Sequence, residues 1–138
     1  MDWLELIGRL AFVGMFLMSG VSHFAKREDY SAYARMKGAP LPRVLVPGTG
    51  VMLLAGGLLI GIGVWADLGA LLIAAFLLPT AYYMHNFWTV DDPQARVNEQ
   101  AHFMKNVTMA GAALVLLYMF QQFGDAIGLT AGDPSLFG

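Results

Sequence analysis

The sequence predicts an all-α protein, an integral membrane four-helix bundle. Of its 138 residues, 57% are hydrophobic and only 13% are charged, whereas an ordinary soluble domain carries about 25% charged residues. Four long apolar segments account for this composition, and each is close to the roughly 20 residues that a helix needs to cross a bilayer. No repeat, low-complexity tract or second domain is evident, so residues 1–138 are interpreted as one domain.

The four predicted spans run from about residue 3 to 24, 44 to 66, 68 to 88 and 107 to 123. The first contains Glu5 and Arg9, which lie four residues apart and can form an ion pair on one helix face. The second and third are separated only by the turn 65–67, which predicts an antiparallel hairpin. Asp92 and Pro93 supply an N-cap and a first-turn proline. A helix running from there through the fourth span would be roughly 46 Å long.

Two further features of the sequence concern the packing of these spans. Residues 25–43 mix charged, aromatic and aliphatic side chains, which is typical of a short interfacial segment. Pro40 and Pro42 are expected to end any helix there. In the second span, Gly57 and Gly61 have the spacing that lets two helices approach closely. The favoured interpretation is tight packing inside one bundle, and the alternative is an interface between copies of the chain.

Basic residues concentrate in two of the three connections between spans. The first connection contains Lys26, Arg27, Arg35, Lys37 and Arg43, and the third is flanked by Arg96 and Lys105. The second connection and the C-terminal tail contain only acidic charges. Because short loops rich in Lys and Arg stay in the cytoplasm, this pattern predicts a multi-pass protein of the bacterial inner membrane with both termini outside the cytoplasm.

Charge and cysteine content exclude several classes of function. The formal net charge of −2 provides no basic field that would collect nucleic acid. The sequence has no cysteine, which excludes disulfides, thiolate nucleophiles, cysteine-ligated iron–sulfur clusters and covalently attached c-type haem. The lipid bilayer is therefore the expected partner, with other proteins or further copies of the chain. Any redox role requires a non-covalently bound cofactor or a partner protein.

Polar residues within membrane spans are the best indicators of function, and here they are expected to meet in one layer. The predicted topology places His23, His85 and His102, the three histidines of the chain, near the cytoplasmic ends of their helices. On the third span, the residues predicted to share a face are Tyr82, His85, Asn86 and Thr89. On the fourth, an arc of about 120° contains Asn98, Glu99, His102, Lys105 and Asn106.

Three interpretations of this polar layer stay open at the level of sequence. The side chains are anchors at the headgroup level, or they line a pocket for a small polar or quinone-like molecule, or they bind a metal or a bis-histidine haem. The last is the least favoured. No single helix carries a His-x-x-x-His or Glu-x-x-His pair, and a four-helix di-iron site would need several inward-facing glutamates.

Short motifs along nearly the whole chain point to one known family. In the first span these residues are Arg9, Gly14, Gly20, His23 and Phe24. Around the second they are Gly38-Ala39-Pro40-Leu41-Pro42 and Gly56-Gly57-Leu58-Leu59-Ile60-Gly61. The most specific are His85-Asn86-Phe87-Trp88 and, beyond a polar loop, Phe103-Met104-Lys105-Asn106 followed by Gly111. In these motifs the chain resembles the DoxX family. It departs at Leu53, where relatives often carry a glutamate.

The resemblance implies a four-helix membrane protein whose name-giving relatives are small subunits of thiosulfate:quinone oxidoreductases. Other relatives are linked to oxidative-stress and sulfur-related membrane complexes. Since Leu53 replaces the glutamate early in the second helix, any proton or metal chemistry that this glutamate serves is not expected here.

The first functional hypothesis is a membrane subunit of an oxidoreductase assembly that helps to hold a quinone near the cytoplasmic face. A quinone needs an apolar slot and one or two hydrogen-bond partners for its oxygens. His85 and His102 are the candidate partners, and Trp88 and Tyr82 are expected to pack on the ring. Lys105 would stabilise reduced, anionic forms. On this hypothesis the chain has no covalent cofactor and is not catalytic alone, and haem is a lesser alternative to quinone.

Two more residues complete the predicted pocket. His23 is a possible third hydrogen-bond partner. Asn106 lies one residue deeper in the span than Lys105, and an amide buried there without a partner costs roughly 1–3 kcal/mol.

The second hypothesis is a non-catalytic accessory or scaffold subunit of a larger membrane complex. It rests on the absence of cysteine, on the lack of an embedded acid–base pair, and on extramembrane segments too small for a catalytic domain. The polar motifs would then tie helix ends together and dock a partner.

Overall fold

The computed structural model describes residues 2–138, which form five α-helices joined by short connections. In chain order the helices are α1 (Asp2–Ala25), α2 (Arg27–Met36), α3 (Pro42–Ile62), α4 (Ala66–Met84) and α5 (Pro93–Phe123). Two 3-10 turns follow the last two helices, at Phe87–Thr89 and Gly124–Ala126. The helices α1, α3, α4 and α5 are long and apolar enough to cross a membrane. The predicted all-α, four-span architecture is confirmed.

The hairpin between the second and third spans is present, but its turn lies earlier than predicted. Helix α3 ends at Ile62 rather than residue 66, because Gly63 and Trp65 have φ values of 71° and 46°. This left-handed backbone cannot continue a right-handed helix. The turn is therefore Gly63–Trp65, and α4 already begins at Ala66.

The α-helix of the third span ends before residue 88, and the shared helical face proposed for Tyr82, His85, Asn86 and Thr89 is wrong. Helix α4 ends at Met84, and His85 has φ −122° and ψ 44°, outside the helical region. Local hydrogen bonds replace the helical ones. The Asn86 carbonyl accepts from the backbone N–H of Thr89 at 3.0 Å and from the Thr89 hydroxyl at 2.8 Å. Short polar side chains often compete with a helix in this way.

The two remaining elements agree with the sequence patterns. The predicted long helix is α5, whose 31 residues begin where the Asp92 carboxylate accepts from the Ala95 N–H at 2.8 Å. Helix α2 occupies the predicted interfacial segment. It ends at Met36, before both prolines, because Gly38 has φ 80°. Pro42 opens α3 as its first residue, where its missing N–H costs nothing.

Side-by-side packing follows the order α1, α3, α4, α5, and α2 lies against the start of α3. Glycines make the close approaches possible: a Cβ added to Gly69 of α4 would lie 2.7 Å from the carbonyl oxygen of Gly56 in α3. A Cβ on Gly57 would meet the Leu17 side chain of α1 at 2.7 Å, and one on Gly61 would contact Val13 at 3.5 Å. These contacts support the interpretation that the Gly57–Gly61 pair serves packing inside the bundle.

At the end of the bundle that holds the Gly63–Trp65 turn, Arg9 is 2% exposed and ties three segments together. Its Nε lies 2.8 Å from the Glu5 carboxylate, which confirms the predicted ion pair. Its Nη2 donates to the Leu129 carbonyl of the C-terminal tail at 2.8 Å, and Nη1 donates to the Ile60 carbonyl at 3.4 Å. A cation beside the last carbonyls of α3 also matches the negative end of the helix dipole.

Asp67 holds the C-terminal tail against the same end. Its carboxylate is fully buried and accepts hydrogen bonds from the backbone N–H groups of Leu136 and Phe137, each at 2.9 Å. The Ser135 hydroxyl donates to it at 3.2 Å. The tail is therefore part of the folded domain, joined to a residue some 70 positions earlier.

Candidate functional site

A cavity of about 500 Å³ lies at the opposite end of the bundle, between α1, α2, α3, α4 and the first half of α5. Its position follows from the packing order, because α1 and α5 lie at the two ends of that order and do not pack extensively against each other. The aromatic side chains of its wall are Phe16, Tyr30, Tyr33, Phe76 and Tyr83. The polar side chains of its wall are Ser19, His23, Thr49, Thr80, His85, Lys105 and Asn106.

His23 enters this wall from the last turns of α1. Its Nδ1 lies 2.7 Å from the carbonyl oxygen of Ser19, one turn earlier. A carbonyl only accepts hydrogen bonds, so Nδ1 carries the ring proton and Nε2 is left with a lone pair. The ring is held edge-on by Tyr30, with centroids 5.1 Å apart, and by Phe76 at 5.9 Å. The tautomer and the orientation of the ring are therefore both fixed.

His85 enters the wall at the end of α4 and is held by a carboxylate. Its Nδ1 lies 3.0 Å from Oε2 of Glu99 in α5. The Lys37 ammonium lies 3.9 Å from the same oxygen and donates to Oδ1 of Asn86 at 3.3 Å. The Glu99 carboxylate, with the Lys37 ammonium beside it, accepts the hydrogen bond from Nδ1. We call these four residues, Lys37, His85, Asn86 and Glu99, the polar network.

His102 and Lys105 lie behind and beside His85 on α5. The His102 ring stacks on the His85 ring with centroids 5.1 Å apart and an interplanar angle of 22°. The Lys105 ammonium lies 3.5 Å from Nδ1 of His102, a weak hydrogen bond in which only the ammonium can donate. Lys105 lines the cavity, whereas His102 does not. His102 therefore acts on the cavity only through its two neighbours.

Asn106 is the buried polar group of the cavity wall. It lies in α5, is 6% exposed, and its amide makes no hydrogen bond within residues 2–138. Neither amide atom is among the fully buried, unpartnered atoms of residues 2–138, so the amide is in contact with the space of the cavity. The carboxamide is thus available to a molecule in the cavity.

Of the seven residues predicted for the pocket, the structure brings His23, His85, Lys105 and Asn106 to the cavity wall. The other three lie outside it. His102 is stacked behind His85, and Tyr82 and Trp88 contact each other at 5.5 Å on the exposed outer side. Tyr82 lies within α4 but only its neighbour Tyr83 lines the cavity, and Trp88 lies beyond the end of α4 in the 3-10 turn Phe87–Thr89.

Sequence reasoning missed the aromatic half of the wall and the partner of His85. Tyr30 and Tyr33 are spaced as neighbours on one face of a helix, but the composition of this segment indicates only an interfacial position. The sequence indicates for Lys37 only a role in topology. Glu99 was placed on the correct face of the fourth span, yet the sequence gives no sign that it meets His85, because α4 and α5 approach each other through tertiary packing.

The arrangement can bind a ring with oxygen substituents through dispersion contacts and hydrogen bonds. Among residues 2–138, no group of three or more His, Asp or Glu side chains has the proximity needed to hold a metal ion. The side chains of the cavity wall can form hydrogen bonds through imidazole, ammonium and amide groups beside aromatic rings.

Three comparisons with known proteins complete the description. The family model described as DoxX matches residues 4–86. In Escherichia coli (strain K12), the relative named inner membrane protein YphA is 31% identical over 113 residues, which are 82% of this chain and 80% of that protein. No solved structure matches the chain. The family match includes His23 and His85. It ends at residue 86, before α5, which carries Lys105 and Asn106.

Proposed function

The chain belongs to the DoxX family of membrane proteins, and from this premise we propose that it is a membrane subunit of an oxidoreductase assembly that holds a quinone. The chain itself binds and orients the small molecule, and a partner protein supplies or takes the electrons. The E. coli relative is named as an inner membrane protein, so we place the chain in that membrane.

The position of the Asn106 amide in the cavity wall is the observation that carries this proposal. The Asn106 residue is 6% exposed, its amide makes no hydrogen bond within residues 2–138, and it lies in the wall of the cavity. A ligand oxygen or hydroxyl can take the place of water on this amide. A purely structural asparagine would instead bond to a backbone carbonyl or to a neighbouring helix. The amide therefore favours a binding site over interfacial anchoring.

The shape and lining of the cavity fit a quinone-like ring. Small-molecule pockets range over about 300–1,000 Å³ and combine mostly apolar walls with a few polar groups, and this cavity measures about 500 Å³. Tyr30, Tyr33 and Phe76, and not Tyr82 and Trp88, supply the aromatic side chains of the wall. His85 and Lys105 reach it from the polar network side.

We place the cavity at the cytoplasmic face and both termini at the opposite face. The segment next to the cavity contains the basic residues of the first connection, and the opposite end contains the acidic Asp67, Asp125 and Asp133. Short basic loops stay in the cytoplasm. In this orientation the polar network lies at the cytoplasmic headgroup level.

The second candidate function is a non-catalytic scaffold subunit. The observation in its favour is the polar network itself, which joins the end of α2, the α4–α5 connection and α5 through Lys37, Asn86, His85 and Glu99. Such a network rigidifies one end of the bundle without a ligand. Native mass spectrometry of the purified protein separates the two functions: a retained quinone supports the first, and a stoichiometric protein partner without a small molecule supports the second.

The proposal predicts that Asn106→Leu and Lys105→Met retain about tenfold less quinone than the parent protein. Each variant removes a polar partner from the cavity, and one buried hydrogen bond changes affinity by about this factor. Asn106→Leu should also melt near the parental temperature, because the amide that it removes makes no hydrogen bond within residues 2–138. The measurement is quantification of quinone in lipid extracts of protein purified in mild detergent, together with the melting temperature.

Lys26→Met is the matched control, since Lys26 lies in the exposed link between α1 and α2 and outside the cavity. It should retain as much quinone as the parent. If the parent shows no quinone enrichment over bulk membrane lipid, or if all three variants retain as much as the parent, the cavity residues are interfacial anchors and the proposed site is wrong.

A further inference from the structure

The two histidines of the cavity wall are held in the same tautomer. Nδ1 of His23 lies 2.7 Å from the Ser19 carbonyl, and Nδ1 of His85 lies 3.0 Å from the Glu99 carboxylate. Both partners accept, so each Nδ1 carries the proton of the neutral ring. In neither histidine does Nε2 have a hydrogen-bond partner in the described part of the chain. A neutral histidine held this way presents Nε2 as an acceptor only.

The other polar groups of the wall do not cancel this preference of the two histidines for a hydrogen-bond donor. The hydroxyl groups of Tyr30, Tyr33 and Thr80 rotate, so each of them can donate or accept. Lys105 donates only, and it already directs one N–H at His102. The wall therefore contains two nitrogens that can only accept and one exposed ammonium that can only donate.

A hydroxyl group suits both kinds of group, because its hydrogen can be donated to an imidazole nitrogen and its oxygen can accept from an ammonium. A quinone carbonyl only accepts, so it leaves the imidazole nitrogens without a donor. A ligand that displaces water and leaves such an acceptor unpaired binds about tenfold more weakly.

We propose that the cavity selects the hydroquinone form of its ligand over the quinone form, through the fixed tautomers of His23 and His85. This inference rests on the proposed function, since it names the oxidation state that the same site prefers. Among chemically similar molecules, the site would accept a ring with hydroxyl substituents and discriminate against its oxidised or O-methylated counterparts.

The test compares two forms of one probe on the full-length protein in detergent. Under anaerobic conditions at about pH 8, we would titrate it with a benzoquinone bearing one isoprenoid unit and with its hydroquinone. The hydroquinone should bind about tenfold more tightly, and its dimethyl ether should bind no better than the quinone. A tenfold preference also raises the midpoint potential of the bound two-electron couple by about 30 mV.

His23→Gln and His85→Gln identify the source of the selectivity. A glutamine amide can present either its N–H₂ or its oxygen, so each variant should bind the two forms within about threefold of one another. Arg27→Gln is the matched control. Arg27 lies at the exposed start of α2 and, within residues 2–138, pairs with Glu28 alone at 3.8 Å, so this variant should keep the full preference.

The outcomes separate the inference from the proposed function. If the parent protein binds neither form, the proposed function fails. If it binds both forms equally or prefers the quinone, the ligand site stands and the selectivity inference is overturned. A hydroquinone preference that both glutamine variants retain would also overturn it, because the histidines would not be its source.

Discussion

Ala34→Trp is expected to abolish quinone retention while leaving the fold intact. Ala34 lies in α2, is 5% exposed, and its methyl group is part of the cavity wall. An indole at this position projects into the space that the ring of the ligand needs. Because the side chain enters an existing cavity rather than a packed core, the overpacking cost that normally follows a small-to-large change should be small. We expect binding to weaken at least about a hundredfold, since van der Waals overlap cannot be relieved by rotation alone.

Ala32→Trp is the control for this effect. Ala32 lies on the same helix two residues earlier, is exposed, and does not line the cavity. It should retain quinone at the parental level. Calorimetric or fluorescence titration of both variants, together with their melting temperatures, decides the point. A stable Ala34→Trp protein that binds as the parent does would show that the ligand lies elsewhere.

Asp67→Ala is expected to cause the largest loss of stability, roughly 3–5 kcal/mol. The substitution removes a fully buried carboxylate and leaves the backbone N–H groups of Leu136 and Phe137 without an acceptor. Charge-assisted hydrogen bonds of this kind are about twice as strong as neutral ones. Asp67→Asn should lose about half as much, because one amide oxygen can still accept. The C-terminal tail should detach first.

Melting in detergent and hydrogen exchange at the tail amides measure this effect. The exchange of the Leu136 and Phe137 amides should accelerate in Asp67→Ala before the bundle melts. Asp125→Ala is the control: Asp125 lies in the 3-10 turn at the same end, and it is exposed. Its melting temperature should match that of the parent. Unchanged exchange at both tail amides in Asp67→Ala would contradict the role assigned to the carboxylate.

The four spans could be predicted from the sequence because their length and composition leave little choice in a bilayer. The bounds of α3 and α4 could not, since they depend on left-handed residues and on local bonds to the Asn86 carbonyl. Trp65 with φ 46° is an unusual residue for that conformation. No pattern of hydrophobicity records such a backbone.

The candidate site, like the fold, could be predicted only in part from the sequence. Polar residues on one stripe of α5 were placed correctly, because helical periodicity fixes their relative direction. The contacts of His85 with Glu99, and of Asp67 with Leu136, join residues that are 14 and 69 positions apart. Such pairs depend on how helices pack against each other, which one sequence does not reveal. The same holds for Tyr30, which meets His23 only because α2 folds back beside α1.

Photolabelling with an azido-substituted benzoquinone, followed by peptide mass spectrometry, tests the central claim most directly. If the ligand occupies the cavity, the label should appear on Tyr30, Tyr33 and Met109, which belong to α2 and α5 and line it together. An excess of unlabelled hydroquinone should remove this labelling. Label found instead on the exposed face of α5 around Tyr118, or labelling that no competitor reduces, would contradict a quinone site in this protein.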